Sequence, residues 1–173
     1  TISVELVCNY LVGVCVIQCI IALSIDTFPL FKSYIDQIFV GGQYMDEAER
    51  MYGIGCSLDI AGSRFSAVLI MMTILLVMKS FKSSNTIIAI YMVSFMVIAI
   101  IGNMIARTTT VGLVISLIYL LLRSVMMNSS KSRNKILRWL LVSVIITVPI
   151  VVHYYNTDIQ FKENLRFAFE GFF

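Results

Sequence analysis

Apolar residues fall into five long blocks, at about residues 4–25, 62–81, 86–106, 108–127 and 136–155. Each is close to the 20 or so residues that a helix needs to cross a hydrocarbon core of about 30 Å. Lipid cannot satisfy the backbone groups of an open sheet, so helices are the expected form of all five. Between the first two blocks, Phe28, Phe31, Ile35, Ile38 and Phe39 recur at helical spacing, with Lys32, Asp36 and Gln37 on other faces. Pro29 suits a first turn and Gly41-Gly42 a stop, so this segment predicts a short amphipathic helix lying in the interface. It reads either as a solvated connector with one apolar face or as a membrane-surface lid over a site. The pattern predicts an all-α, polytopic membrane helix bundle. It forms one membrane domain, with an outer segment over 26–61 and the start of an outer loop over 156–173.

Composition agrees and narrows the class. Apolar residues make up 59% and charged residues 13% of the 173, against about 45–50% and about 25% in soluble domains. That balance excludes a disordered chain. Four cysteines, three of them in the first apolar block, do not make a secreted disulfide scaffold. A net charge of +3 gives little support to a soluble nucleic-acid binder. Residues 2–25 lack a basic leader and a small-residue cleavage site, so they read as a span rather than a signal peptide. The start at Thr1 and the end at Phe172-Phe173 lead us to expect part of a longer polytopic protein.

The few charges segregate. Lys79, Lys82, Arg123, Lys131, Arg133, Lys135 and Arg138 fall on one side of the predicted spans, with no acid among them except Glu5 near the start of the first. Lys32, Arg50, Arg64, Arg107, Lys162 and Arg166 share the other side with the remaining nine acids. Loops rich in Lys and Arg stay in the cytoplasm, which puts residue 1 inside and both 26–61 and 156–173 outside.

Two arginines stand out against that rule. Only 14 residues separate Arg64 from Lys79 and only 15 separate Arg107 from Arg123, about 21 and 22 Å of helix. At least one charge in each span therefore lies at or within the bilayer edge. Snorkelling accounts for the inner members, Lys79 and Arg123. Arg64 and Arg107 sit on the side where positive charge is not favoured. Each is either a structural ion pair, for example of Arg64 with Asp59, or half of a guanidinium clamp for a lipid diphosphate. His153, the one histidine, lies four residues after Pro149 and reads as an interfacial polar residue or a base. The sequence has no zinc spacing, CxxC, HExxH, GxGxxG or Walker A pattern, and so implies no metal and no nucleotide cofactor.

The segment Tyr52-Gly53-Ile54-Gly55-Cys56-Ser57-Leu58-Asp59-Ile60-Ala61-Gly62-Ser63-Arg64-Phe65 resembles the lead into a helix in bacterial O-antigen polymerases of the Wzy type and in the related O-antigen ligases. Gly102-Asn103-Met104-Ile105-Ala106-Arg107-Thr108-Thr109-Thr110-Val111-Gly112-Leu113 is similar to that family's Arg-Thr helix start, and Arg166-Phe167-Ala168-Phe169-Glu170-Gly171-Phe172-Phe173 to the beginning of its large outer loop. The resemblance implies a multi-pass glycosyltransferase of the bacterial inner membrane. It would join oligosaccharide repeat units carried on undecaprenyl diphosphate into an O-antigen, capsule or exopolysaccharide, without a metal. It further implies Arg64, Arg107 and Arg166 as ligands of the donor diphosphate, and Asp59, His153 or Glu170 as the base for the acceptor hydroxyl. Its partners would be the lipid-linked oligosaccharide, membrane lipid and a chain-length regulator protein, with no nucleic acid. The large outer loop and later helices of that family have no counterpart here. A ligase, a transporter or flippase, and a non-enzymatic membrane subunit share the same composition and charge pattern.

Overall fold

In a computed structural model, residues 3–38, 51–52, 58–80, 85–126 and 130–169 are described. They form seven helices: α1 (Val4–Thr27), α2 (Pro29–Ile38), α3 (Leu58–Ser80), α4 (Asn85–Ile105), α5 (Thr109–Met126), α6 (Ser130–Thr157) and α7 (Ile159–Phe169). No strand occurs among the described residues. The molecule is an all-α membrane helix bundle in which, among the described residues, four helices are long and apolar enough to span: α1, α4 and the segments Ile60–Met78 of α3 and Leu137–Thr157 of α6. The expected fifth span, α5, is shorter. Its 18 residues reach about 27 Å, slightly under the hydrocarbon thickness.

The threading is up and down. The start of α3 meets the start of α5, where Ser66 Oγ donates to the Thr108 carbonyl at 2.6 Å, and their ends meet through Val77 and Leu120. These two helices therefore run parallel, with α4 returning between them. Helices α1 and α4 are parallel as well, since Tyr91 Oη donates to Asn9 Oδ1 near both starts. Among the described residues, the basic positions Lys79, Arg123, Lys131, Arg133, Lys135 and Arg138 thus fall toward the end of the bundle where α3 and α5 finish and α4 and α6 begin.

Small residues set the closest contacts. On α1, Cys8, Val12, Cys15, Cys19 and Ala22 are buried at alternating four- and three-residue steps, a heptad-like seam that lets α1 approach its neighbours. The three cysteines there are free and buried, as the sequence suggests. On α3 and α5 the pairs Gly62/Ser66 and Gly112/Ser116 bring the backbones together. A Cβ on Gly112 would collide with the Ser66 backbone, and one on Gly62 with the Thr108 hydroxyl. Such small-xxx-small faces drive helix association where lipid offers no hydrophobic contrast. Around them Phe65, Leu69, Met72 and Leu76 of α3 and Ile88, Met92, Phe95 and Ile98 of α4 fill the core.

The outer elements are tied down locally. α1 is capped by Ser3, which accepts from the Leu6 amide at 3.2 Å, and it breaks at Phe28, where Pro29 opens α2 as expected. Ile35 of α2 packs on Ile25 and Tyr52, while Tyr52 Oη donates to Asp36 Oδ1 at 2.6 Å. The adjacent Met51 enters the main core. Three boundaries differ from the sequence reading. α3 starts at Leu58, so Asp59 belongs to its first turn. α6 starts at Ser130, placing Lys131, Arg133, Lys135 and Arg138 on a helix rather than in a turn. Residues 159–169 are helical, with Asp158 Oδ1 accepting from the Phe161 amide at 3.3 Å.

Candidate functional site

The polar residues of the α4–α5 junction satisfy one another. Asn103 is buried, and its Nδ2 donates to the Ala99 carbonyl at 2.9 Å while its Oδ1 accepts from Thr110 Oγ1 at 2.6 Å. Thr109 Oγ1 donates to the Gly102 carbonyl at 3.0 Å. The amides of Thr109, Thr110 and Val111 bond back to Ala106, Arg107 and Thr108 at 3.0–3.2 Å. The turn is thus closed without help from solvent, and Arg107 projects from it half-buried. Two of the three consecutive threonines, Thr109 and Thr110, bridge the chain reversal with their hydroxyls, while Thr108 offers its carbonyl to Ser66.

Arg64 leaves α3 from a different face. Gly62 and Ser66 point at the α4–α5 junction, and Arg64 lies about 200° round the helix from each. It is exposed and within electrostatic reach of Cys15 on α1. Its neighbour Phe65 packs against Gly102, so the guanidinium emerges about one turn inside the end of α4 and within the apolar span Ile60–Met78. A charge at such a level costs several kcal/mol unless it reaches a polar partner or the interface.

The remaining candidates are dispersed. Arg166 is exposed on α7. His153 is exposed on α6, its ring set edge-on to Tyr154 at 5.9 Å. Asp59 is on the first turn of α3, but its side chain lies outside the described residues, as does Glu170 altogether. Arg64 and Arg107 thus share one end of the bundle through the α3–α5 contact, but on opposite sides of α3. Among the described residues no three His, Cys, Asp or Glu side chains converge as for a metal.

A cavity lies away from these residues. It has a volume of about 670 Å³ and is lined by the C-terminal halves of α4 and α6, by the last turn of α1, and by Asp158 and Phe161. Its walls are mostly apolar, and Arg64, Arg107, Arg166 and His153 are not among the described residues that line it. The one signal that could have marked it is the run of Asp26, Thr27, Tyr154 and Asp158, polar groups at the ends of two spans. No protein-family model, curated protein or solved structure matches this chain.

Proposed function

We propose that this chain is the membrane part of a metal-independent glycosyltransferase of the O-antigen polymerase type. It would act at the outer face of a bacterial inner membrane on repeat units linked to undecaprenyl diphosphate. The observation that carries the reading is Arg64, a guanidinium held within an apolar span at the same end of the bundle as Arg107. In the proposed reaction the acceptor hydroxyl attacks the anomeric carbon, a base takes its proton, and undecaprenyl diphosphate leaves with the bonding pair. Arginine would stabilise the charge growing on that leaving group. Arg166 is the third candidate ligand, and Asp59, His153 and Glu170 remain candidates for the base. An O-antigen ligase would share the donor chemistry and differ in its acceptor.

A second reading has its own support. Arg64, Arg107, Arg166 and His153 are not among the described residues that line the cavity, and Arg64 and Arg107 leave α3 and the junction on different sides, which favours a non-enzymatic membrane subunit or a flippase. Complementation of a strain lacking its own polymerase, scored by polysaccharide chain length, separates the two. Under the enzymatic reading Arg64→Gln lowers polymer synthesis by about 100-fold, the scale of losing one transition-state donor. Arg64→Lys and Arg107→Lys shorten chains, because lysine keeps the charge but not the bidentate fork. Unchanged chain length in both lysine variants, at normal expression, rules out the diphosphate clamp.

A further inference from the structure

Asn9 and Gly13 lie one turn apart on α1, and the packing of a single chain accounts fully for neither. Asn9 is exposed within the apolar span Val4–Thr27. Its Oδ1 accepts from Tyr91 Oη on α4, but its Nδ2 has no hydrogen-bond partner among the described residues. An amide N–H without an acceptor is costly in hydrocarbon, where no water replaces the missing bond. Gly13 is half-buried, yet nothing stands within 4 Å of the place its Cβ would take. No contact within the chain requires a glycine there, and glycine weakens a helix interior relative to alanine. It leaves a notch in the surface of α1.

Helix geometry puts both on one face. Leu6, Asn9, Gly13, Ile17 and Ile20 fall within about 80° of arc, with Gly13 about 140° round from the centre of the buried cysteine seam. Leu6, Ile17 and Ile20 are 46%, 59% and 52% exposed, so the described helices leave this face open. A notch for close approach beside a carboxamide is how helices associate in lipid, through small residues and interhelical hydrogen bonds.

The occupant that fits is a second copy of α1. Every copy inserts with α1 in the same direction, so in a side-by-side pair Asn9 meets Asn9 at one depth. A carboxamide has two N–H donors and an oxygen with two lone pairs, one of which remains after the Tyr91 bond. Across a two-fold axis each Asn9 can donate to the other, and an acyl chain offers no such acceptor. We infer that two copies of this protein associate in parallel through α1, with Asn9 bonded to Asn9 and the backbones nearest at Gly13. The pairing is independent of the glycosyltransferase reading and holds equally for an enzyme or a subunit.

The test uses the full chain in liposomes, labelled at Cys56 with donor or acceptor dye and diluted with lipid so that energy transfer reports the paired fraction. Asn9→Leu should weaken association about tenfold, the scale of interhelical hydrogen bonding in lipid, and Asn9→Gln should recover most of it. Tyr91→Phe removes only the bond within the chain and should leave association intact. Gly13→Ala, for which one chain has room, and Gly13→Leu should weaken it progressively by holding the backbones apart. In a Cys56→Ser background, oxidation should join two copies through Leu6→Cys or Ile20→Cys. It should not join them through Leu11→Cys on the far side of α1 or Val148→Cys on α6. A chain that stays monomeric at high protein-to-lipid ratio overturns the pairing. So does association unchanged by Asn9→Leu or by Gly13→Leu, association that falls as far in Tyr91→Phe as in Asn9→Leu, or cross-linking through Val148→Cys in place of Leu6→Cys.

Discussion

Thr110 and Ser116 lie six residues apart on α5 and show how differently two hydroxyls fare in one apolar setting. Thr110 closes the bond to Asn103 Oδ1, whereas Ser116 Oγ is buried with no hydrogen-bond partner among the described residues. Thr110→Val strands a buried amide oxygen and should lower stability by about 1–3 kcal/mol. Ser116→Ala removes an unmet polar atom without opening a cavity, and should leave stability unchanged or raise it by up to about 1 kcal/mol. Thermal unfolding of the two purified variants in detergent checks the contrast, and equal destabilisation would contradict the network. Neither role is legible from sequence. The Arg-Thr-Thr-Thr run announces a polar helix start, but which hydroxyl finds a partner depends on the angle at which α4 meets α5.

Among the elements, the α3–α5 contact makes the sharpest demand. Gly112→Ala places a methyl against the Ser66 backbone, which cannot rotate away, and should cost about 1–3 kcal/mol or more. Gly62→Ala meets the Thr108 hydroxyl and the Ala106 methyl at 2.8 Å, and should cost less if the threonine turns. Gly13 has open space where its Cβ would go, so Gly13→Ala should be neutral or slightly stabilising, since alanine is the better helix former. The order Gly112, Gly62, Gly13 in loss of Tm is the expected outcome. The spans themselves were legible because lipid enforces a length and an apolar composition. The small-residue pairs Gly62/Ser66 and Gly112/Ser116 are equally present in the sequence, but hydropathy lowers the score of such positions instead of marking them as contacts. The helix α7 went unforeseen because Phe161 and Leu165, at helical spacing, are set among Lys162, Glu163 and Arg166 and read as a charged loop.

For the whole molecule, up-and-down threading and charge segregation together fix which ends of the helices share a side. With the basic end in the cytoplasm, Cys56 is expected outside, and a membrane-impermeant maleimide should label it in intact cells. Labelling only after permeabilisation would invert the topology. Cys8, Cys15 and Cys19, buried in the bundle, should resist the reagent in both conditions. Beyond the polar residues at the ends of two spans, the cavity left no mark in the sequence, because its lining comes from α1, α4, α6 and α7 together, a relation among helices that no single periodicity encodes. The parallel pairing of α3 with α5 also bears on how the chain is made. Ser66 and its acceptor at Thr108 are 42 residues apart, so during synthesis at about 5–20 residues per second α3 waits roughly 2–8 s for its partner. Through that interval its Gly62/Ser66 face is covered only by lipid or by the insertion machinery. Delivery of α4 and α5 as a hairpin is then the step that covers this face, ahead of the arrival of α6 and α7.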